Sequence, residues 1–109
     1  MIEFAASGPP RAVSRAIEEF ATAQGNVSAL VVPWESQGGA VSMAVTAVKS
    51  DGWAIEHTNL GTITLTDLGN DRTRVVVASH GPDRVDTKTL TTLFDRFAHQ
   101  VQRQFEVSA

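Results

Sequence analysis

Residues 53–77 read WAIEHTNLGTITLTDLGNDRTRVVV, and the way this stretch divides into strands decides the fold. Over 62–68, Ile63 and Leu65 alternate with Thr62, Thr64 and Thr66, the period of two expected of a strand with one apolar and one polar face. Gly69, Asn70 and Asp71 are residue types that tolerate the positive φ of a tight hairpin turn, and 72–79 returns as a valine-rich strand. Upstream, 53–58 alternates as well, and Asn59-Leu60-Gly61 reads as a break between it and the next strand. The same alternation sets His57 and Asn59 in phase with Trp53 and Ile55.

Before this stretch the period is also two. Over 40–49, Val41, Met43, Val45 and Ala47 alternate with Ser42, Ala44, Thr46 and Val48, and Ser50-Asp51-Gly52 follows as a hairpin turn. Residues 27–34 are valine-rich and run into the turn ESQGG, while Ile2 and Phe4 mark a short strand at 1–7. Two segments switch to helical spacing. Val13, Ala16, Ile17, Phe20 and Ala21 predict a helix over 10–24, with Ser7 or Gly8 as its cap, proline in its first turn, and Gly25-Asn26 as its stop. Leu90, Leu93, Phe94, Phe97, Ala98, Val101 and Phe105 form one apolar stripe on a second helix, capped by Asp86 or Thr87, with Arg96, His99, Gln102 and Arg103 opposite.

The order is strand, helix, five strands, helix. Short turns between consecutive strands imply an antiparallel meander, so the expected fold class is α+β: a curved antiparallel sheet in β-α-β5-α order, with both helical stripes buried against it. The 109 residues are expected to form a single domain, 1–109, with one core.

Composition excludes several classes of function. The net charge is −3 and the basic residues are scattered, which argues against nucleic-acid binding, because that needs a basic face to replace phosphate counterions. There is no cysteine, so disulfides, thiolate metal sites and a cysteine nucleophile are ruled out. No run approaches the ~20 apolar residues that span a bilayer, and the first residues lack the basic and apolar regions of a signal peptide. The expectation is a cytoplasmic monomer or homodimer without membrane insertion. No cofactor is expected: Gly38 and Gly39 do not precede a helix, and no histidine or carboxylate pair has metal-ligand spacing.

IEFAASGPPRAVSRAIEEF, GTITLTDLGNDRTRVVV and LTTLFDRFAHQVQRQF together resemble the START-like or SRPBCC superfamily, the helix-grip fold. The first is similar to its opening strand and helix. The second is similar to its threonine-rich strand, Gly-Asn turn and Thr-Arg-Val strand. The third is similar to its gripping C-terminal helix. The resemblance implies a hydrophobic cavity between sheet and C-terminal helix that holds a lipid- or polyketide-like small molecule. The chain is short for that superfamily, with six strands where the full fold has seven and one helix after the first strand where two are usual.

In that setting Trp53, Ile55, His57, Asn59, Phe94 and Phe97 are the candidate ligand-binding residues. A histidine in an apolar cleft has its charged form disfavoured and can orient a carbonyl or hydroxyl group of a ligand. The alternative is that His57 and Asn59 close off a strand end. Trp34 and Trp53 fall at strand ends and fit either a pocket mouth or the core. His80 falls in a turn, His99 on the polar side of the second helix, and Glu18 and Glu19 on a solvated face. Three functions follow. The first is a binding module for a hydrophobic small molecule. The second is an interaction or homodimerising domain that uses the threonine face or an edge strand. The third is a cyclase- or dehydratase-like enzyme with His57 as acid–base and Asn59 or Thr64 orienting the substrate.

Overall fold

The computed structural model describes residues 2–33, 40–50, 55–79 and 87–107. Its elements are β1 (Ile2–Ser7), α1 (Pro10–Gln24), β2 (Val27–Val31), β3 (Ala40–Ser50), β4 (Ile55–Gly69), β5 (Arg72–Ser79) and α2 (Thr87–Phe105). The strands make one sheet in the order β1-β5-β4-β3-β2, with every neighbouring pair antiparallel. The class is α+β, as expected.

The strand count is corrected from six to five among the described residues. The expected break at Asn59-Leu60-Gly61 lies inside one strand, β4. Its partner β3 runs unbroken and pairs with β4 on both sides of the irregularity: Val45 lies opposite Gly61, and the next residue, Thr46, lies opposite Asn59. Leu60 is therefore the extra residue of a β-bulge, which interrupts the ladder for one position without ending it. The expected strand at 27–34 is also shorter and stops at Val31.

The bulge explains why Leu60 and Gly61, although adjacent, are both buried. From Gly61 onward Ile63 and Leu65 face the same side as Met43 and Val45 of β3 and Val75 and Val77 of β5. All six are fully buried and form the floor of the core. Both helices cover this floor. Val13, Ile17 and Ala21 of α1 recur every four residues and are buried. From α2 come Phe94, Phe97, Ala98 and Val101. The helices meet through Phe20, whose ring centroid is 6.2 Å from Phe97 and 5.8 Å from Phe105.

Local chemistry sets the ends of α1. Pro9, not Ser7 or Gly8, occupies the N-cap, and no side chain caps the helix there. Proline suits this point because the first-turn N–H groups have no intrahelical acceptor. Gly25 closes the other end at φ 82°, its N–H donating to Thr22 O at 3.2 Å. At the β4–β5 turn Asn70 and Asp71 have φ of 54° and 61°, the pair of left-handed residues that a two-residue hairpin loop requires.

Both sheet edges are partly covered. Hydrogen bonds from Val48 N to Asn26 O and from Val32 N to Ser42 O show that even-numbered residues of β2 face β3 and odd-numbered ones face the free edge. Yet Val27 and Ala29 are only 3% and 2% exposed, and Val31 N donates to Glu18 Oε1 at 3.3 Å. α1 therefore shields this edge, and Glu18 is half-buried and engaged rather than part of a solvated face. At the other edge the chain beyond α2 folds back on β1. Glu106 bridges Ala6, and Val107 N donates to Ala5 O at 2.9 Å.

Candidate interaction face

The side of the sheet away from the helices is built by strand alternation and has rows set by the register. One row runs Leu30, Ala44, Thr62, Ala78 across β2, β3, β4 and β5. The next runs Ser42, Thr64, Val76, Glu3 across β3, β4, β5 and β1. Toward the turn, Ala40, Thr66, Arg74 and Ala5 form a third row. On the other side, Ser28, Thr46 and Asn59 form a fourth.

Among the described side chains of this face, charge falls at one corner. Glu3 and Arg74 make an ion pair at 2.7 Å with both side chains about half exposed. The Glu3 carboxylate raises the Arg74 pKa, first by accepting its hydrogen bond and then by Coulombic attraction. Arg72 sits beyond them toward the hairpin turn. The other described side chains of the face are hydroxyls, methyl groups and the Asn59 amide. Leu30 stands out from it at 59% exposure.

The six candidate residues are not brought together. Trp53 lies outside the described residues, as do Trp34 and His80. Ile55 and His57 belong to β4 at the register positions opposite Ser50 and Val48. Asn59 lies opposite Thr46 and is exposed on the helix-free face, which corrects the expectation that it points inward. The expectation took the apolar Trp53 and Ile55 to mark the inner face. Alternation fixes which residues share a face but not which face it is, and the register sets Asn59 with Thr46 on the helix-free side. Phe94 and Phe97 are on the opposite side, buried in the core.

Phe94 rests directly on the backbone of Gly61. A Cβ on Gly61 would fall 2.7 and 2.8 Å from two Phe94 ring carbons, and closer still to the carbonyl oxygen of Ala78. The absent glycine side chain is thus the space that Phe94 occupies. Thr73, buried on the helix side, donates its hydroxyl to Gly8 O at 2.7 Å. A separate open concavity of about 520 Å³ lies over the outer side of α1, lined by Pro9, Arg11, Ala12, Arg15, Ala16 and Glu19. His99 is exposed, with Nδ1 2.7 Å from Asp95 O. Among the described residues no group of three or more His, Cys, Asp or Glu could hold a metal ion. No helix among them is long and apolar enough to cross a membrane.

The helix-free face was partly legible beforehand, because Thr62, Thr64 and Thr66 alternate so regularly. Its extension over β3 and β5, and the position of its described charge at one corner, depend on the register. The edge-shielding role of Glu18 carried no sequence signal. Compared with known protein families, curated proteins and solved structures, the chain matches none.

Proposed function

We propose that the chain is a protein-interaction module whose working surface is the helix-free face of the sheet. The observation that carries this reading is the absence of charge across Ser42, Ala44, Thr46, Thr62, Thr64, Val76 and Ala78, seven outward positions on β3, β4 and β5. Solvated sheet faces commonly carry lysine, arginine or glutamate, whereas depletion of charge marks the centre of protein interfaces. Partial cover of the edges, where Glu18 accepts from Val31 N and Val107 N donates to Ala5 O, leaves less room there for an added strand. The test is photo-crosslinking in cell extract from a benzophenone side chain at Thr64, with Glu19 on outer α1 as the reference position. Adducts specific to Thr64 that disappear on Ser42→Lys are expected. Equal labelling at both positions sinks the reading.

A second reading keeps the superfamily resemblance: a hydrophobic small molecule bound between the sheet and the C-terminal helix. Its support is the placement of α2 on the inner face, with Phe94 and Phe97 directed into the core. The contact of Phe94 with Gly61 means that a ligand there must displace the ring. An NMR titration with fatty acids and aromatic acids tests this. Shifts on Phe94, Phe97 and Ile63 are expected, and shifts limited to exposed residues argue against it.

A further inference from the structure

We propose that the partner of the helix-free face is a second copy of this chain, docked face to face as a two-layer sandwich of two five-stranded sheets. The proposal rests on the interaction-face reading above. It comes from the order of side-chain sizes along the rows. Leu30, Ala44, Thr62 and Ala78 lie in one row in the order large, small, large, small. A two-fold axis parallel to the strands, passing between β3 and β4, reverses that order in the second copy. Leu30 then lies over Ala78 of the other copy, and Ala44 lies over its Thr62. Every large side chain in the row meets a small one. The same axis sets Ser42 over Thr64 in the next row. A row that fits its own reversal is what an isologous interface requires.

The axis also accounts for the charged corner. It brings β5 of one copy over β2 of the other. β1 lies beyond the other copy's sheet, so Glu3, with Arg74 paired to it, falls at the rim while the uncharged rows are covered. The sheets pack in the aligned manner, about 10 Å apart, with the strands of the two copies near parallel.

Area sets the strength. Four overlapping strands, β2 to β5, at about 4.8 Å spacing and about seven residues of length give roughly 19 by 23 Å, or about 440 Å² per copy. The total of about 880 Å² falls short of the roughly 1,000 Å² of a stable contact and lies in the range of weak, transient pairs. The expected dimer is reversible, with Kd on the order of micromolar or weaker.

The experiment is sedimentation velocity from a few micromolar to about 1 mM on the wild type, Ala44→Lys, Leu30→Ala and Arg15→Glu on outer α1. Dimer formation by the wild type and Arg15→Glu is expected, with Kd raised at least about tenfold in both face variants. Leu30→Ala removes an exposed side chain, so it reports on docking even if Ala44→Lys fails to fold. A wild type that stays monomeric to 1 mM overturns self-docking, while specific crosslinks from Thr64 to another protein would leave the interaction reading standing. A dimer insensitive to both face variants overturns the assigned face and the interaction reading with it.

Discussion

Replacing Gly61 by alanine sets two effects of opposite sign against each other. Alanine restricts the unfolded chain more than glycine does, which by itself stabilises a protein by about 0.4–1 kcal/mol. In the folded state the new methyl group lands 2.7 and 2.8 Å from Phe94 ring carbons and closer still to Ala78 O. The ring can tilt. The carbonyl belongs to Ala78 of β5, which pairs with Thr62 of β4, and cannot move without disturbing that ladder. Overpacking of a filled core costs about 1–3 kcal/mol, and an obstacle made of backbone belongs at the upper end. Sterics win, and the expected net loss is about 2–3 kcal/mol. At about 2.1 cal/mol/K per residue, 109 residues unfold with an entropy of roughly 0.23 kcal/mol/K, so the melting temperature falls by about 9–13 °C. Circular dichroism melts and urea titrations measure both quantities. Adding Phe94→Leu to Gly61→Ala should cost less than the sum of the two single changes, because the ring is one of the two obstacles, but it should not restore wild-type stability, because Ala78 O remains. A Gly61→Ala protein within about 4 °C of wild type would refute the placement of Phe94 on the bulge.

Three further outcomes are expected. Thr73→Val, which keeps the shape but removes the hydroxyl donor to Gly8 O, lowers stability by about 1–2 kcal/mol in urea titrations. Gly25→Ala costs about 1 kcal/mol through its left-handed backbone alone, since nothing lies within 4 Å of the added methyl; Gly25→Asn, better suited to that conformation, costs less in the same titration. Glu18→Ala leaves the melting temperature within a few degrees but speeds amide hydrogen exchange at Val31, whose N–H loses its acceptor, and unchanged exchange there would show that Glu18 is not the edge's guard.

The candidate site was less legible than the fold because it depended on strand phase. His57 and Asn59 were placed by their phase with the apolar Trp53 and Ile55, and alternation alone does not say which face of the sheet such a pair takes. One inserted residue moves every later side chain to the other face, and the letters Asn-Leu-Gly fit a loop as well as a bulge. The partner strand distinguishes the two: β3 continues to Ser50, so β4 keeps a ladder to pair with before and after Leu60. Glu18 shows the same limit on a helix. Its wheel position is polar, but only the approach of β2 gives its carboxylate an N–H to accept.

By itself the amino-acid sequence determined the local elements. The 10–24 helix emerges with its predicted bounds because the period of its apolar residues, its prolines and its terminal glycine all act within a few residues of one another. The 69–71 turn and the alternation of 62–68 are local in the same way. Tertiary structure alone decided which strands are neighbours, that Asn59-Leu60-Gly61 continues a strand, that a glycine there makes room for Phe94, and that the uncharged side chains of three strands form one face. Each of these joins residues far apart in the chain. A backbone hydrogen-bond register or a ring resting on a glycine comes into being only when those segments meet.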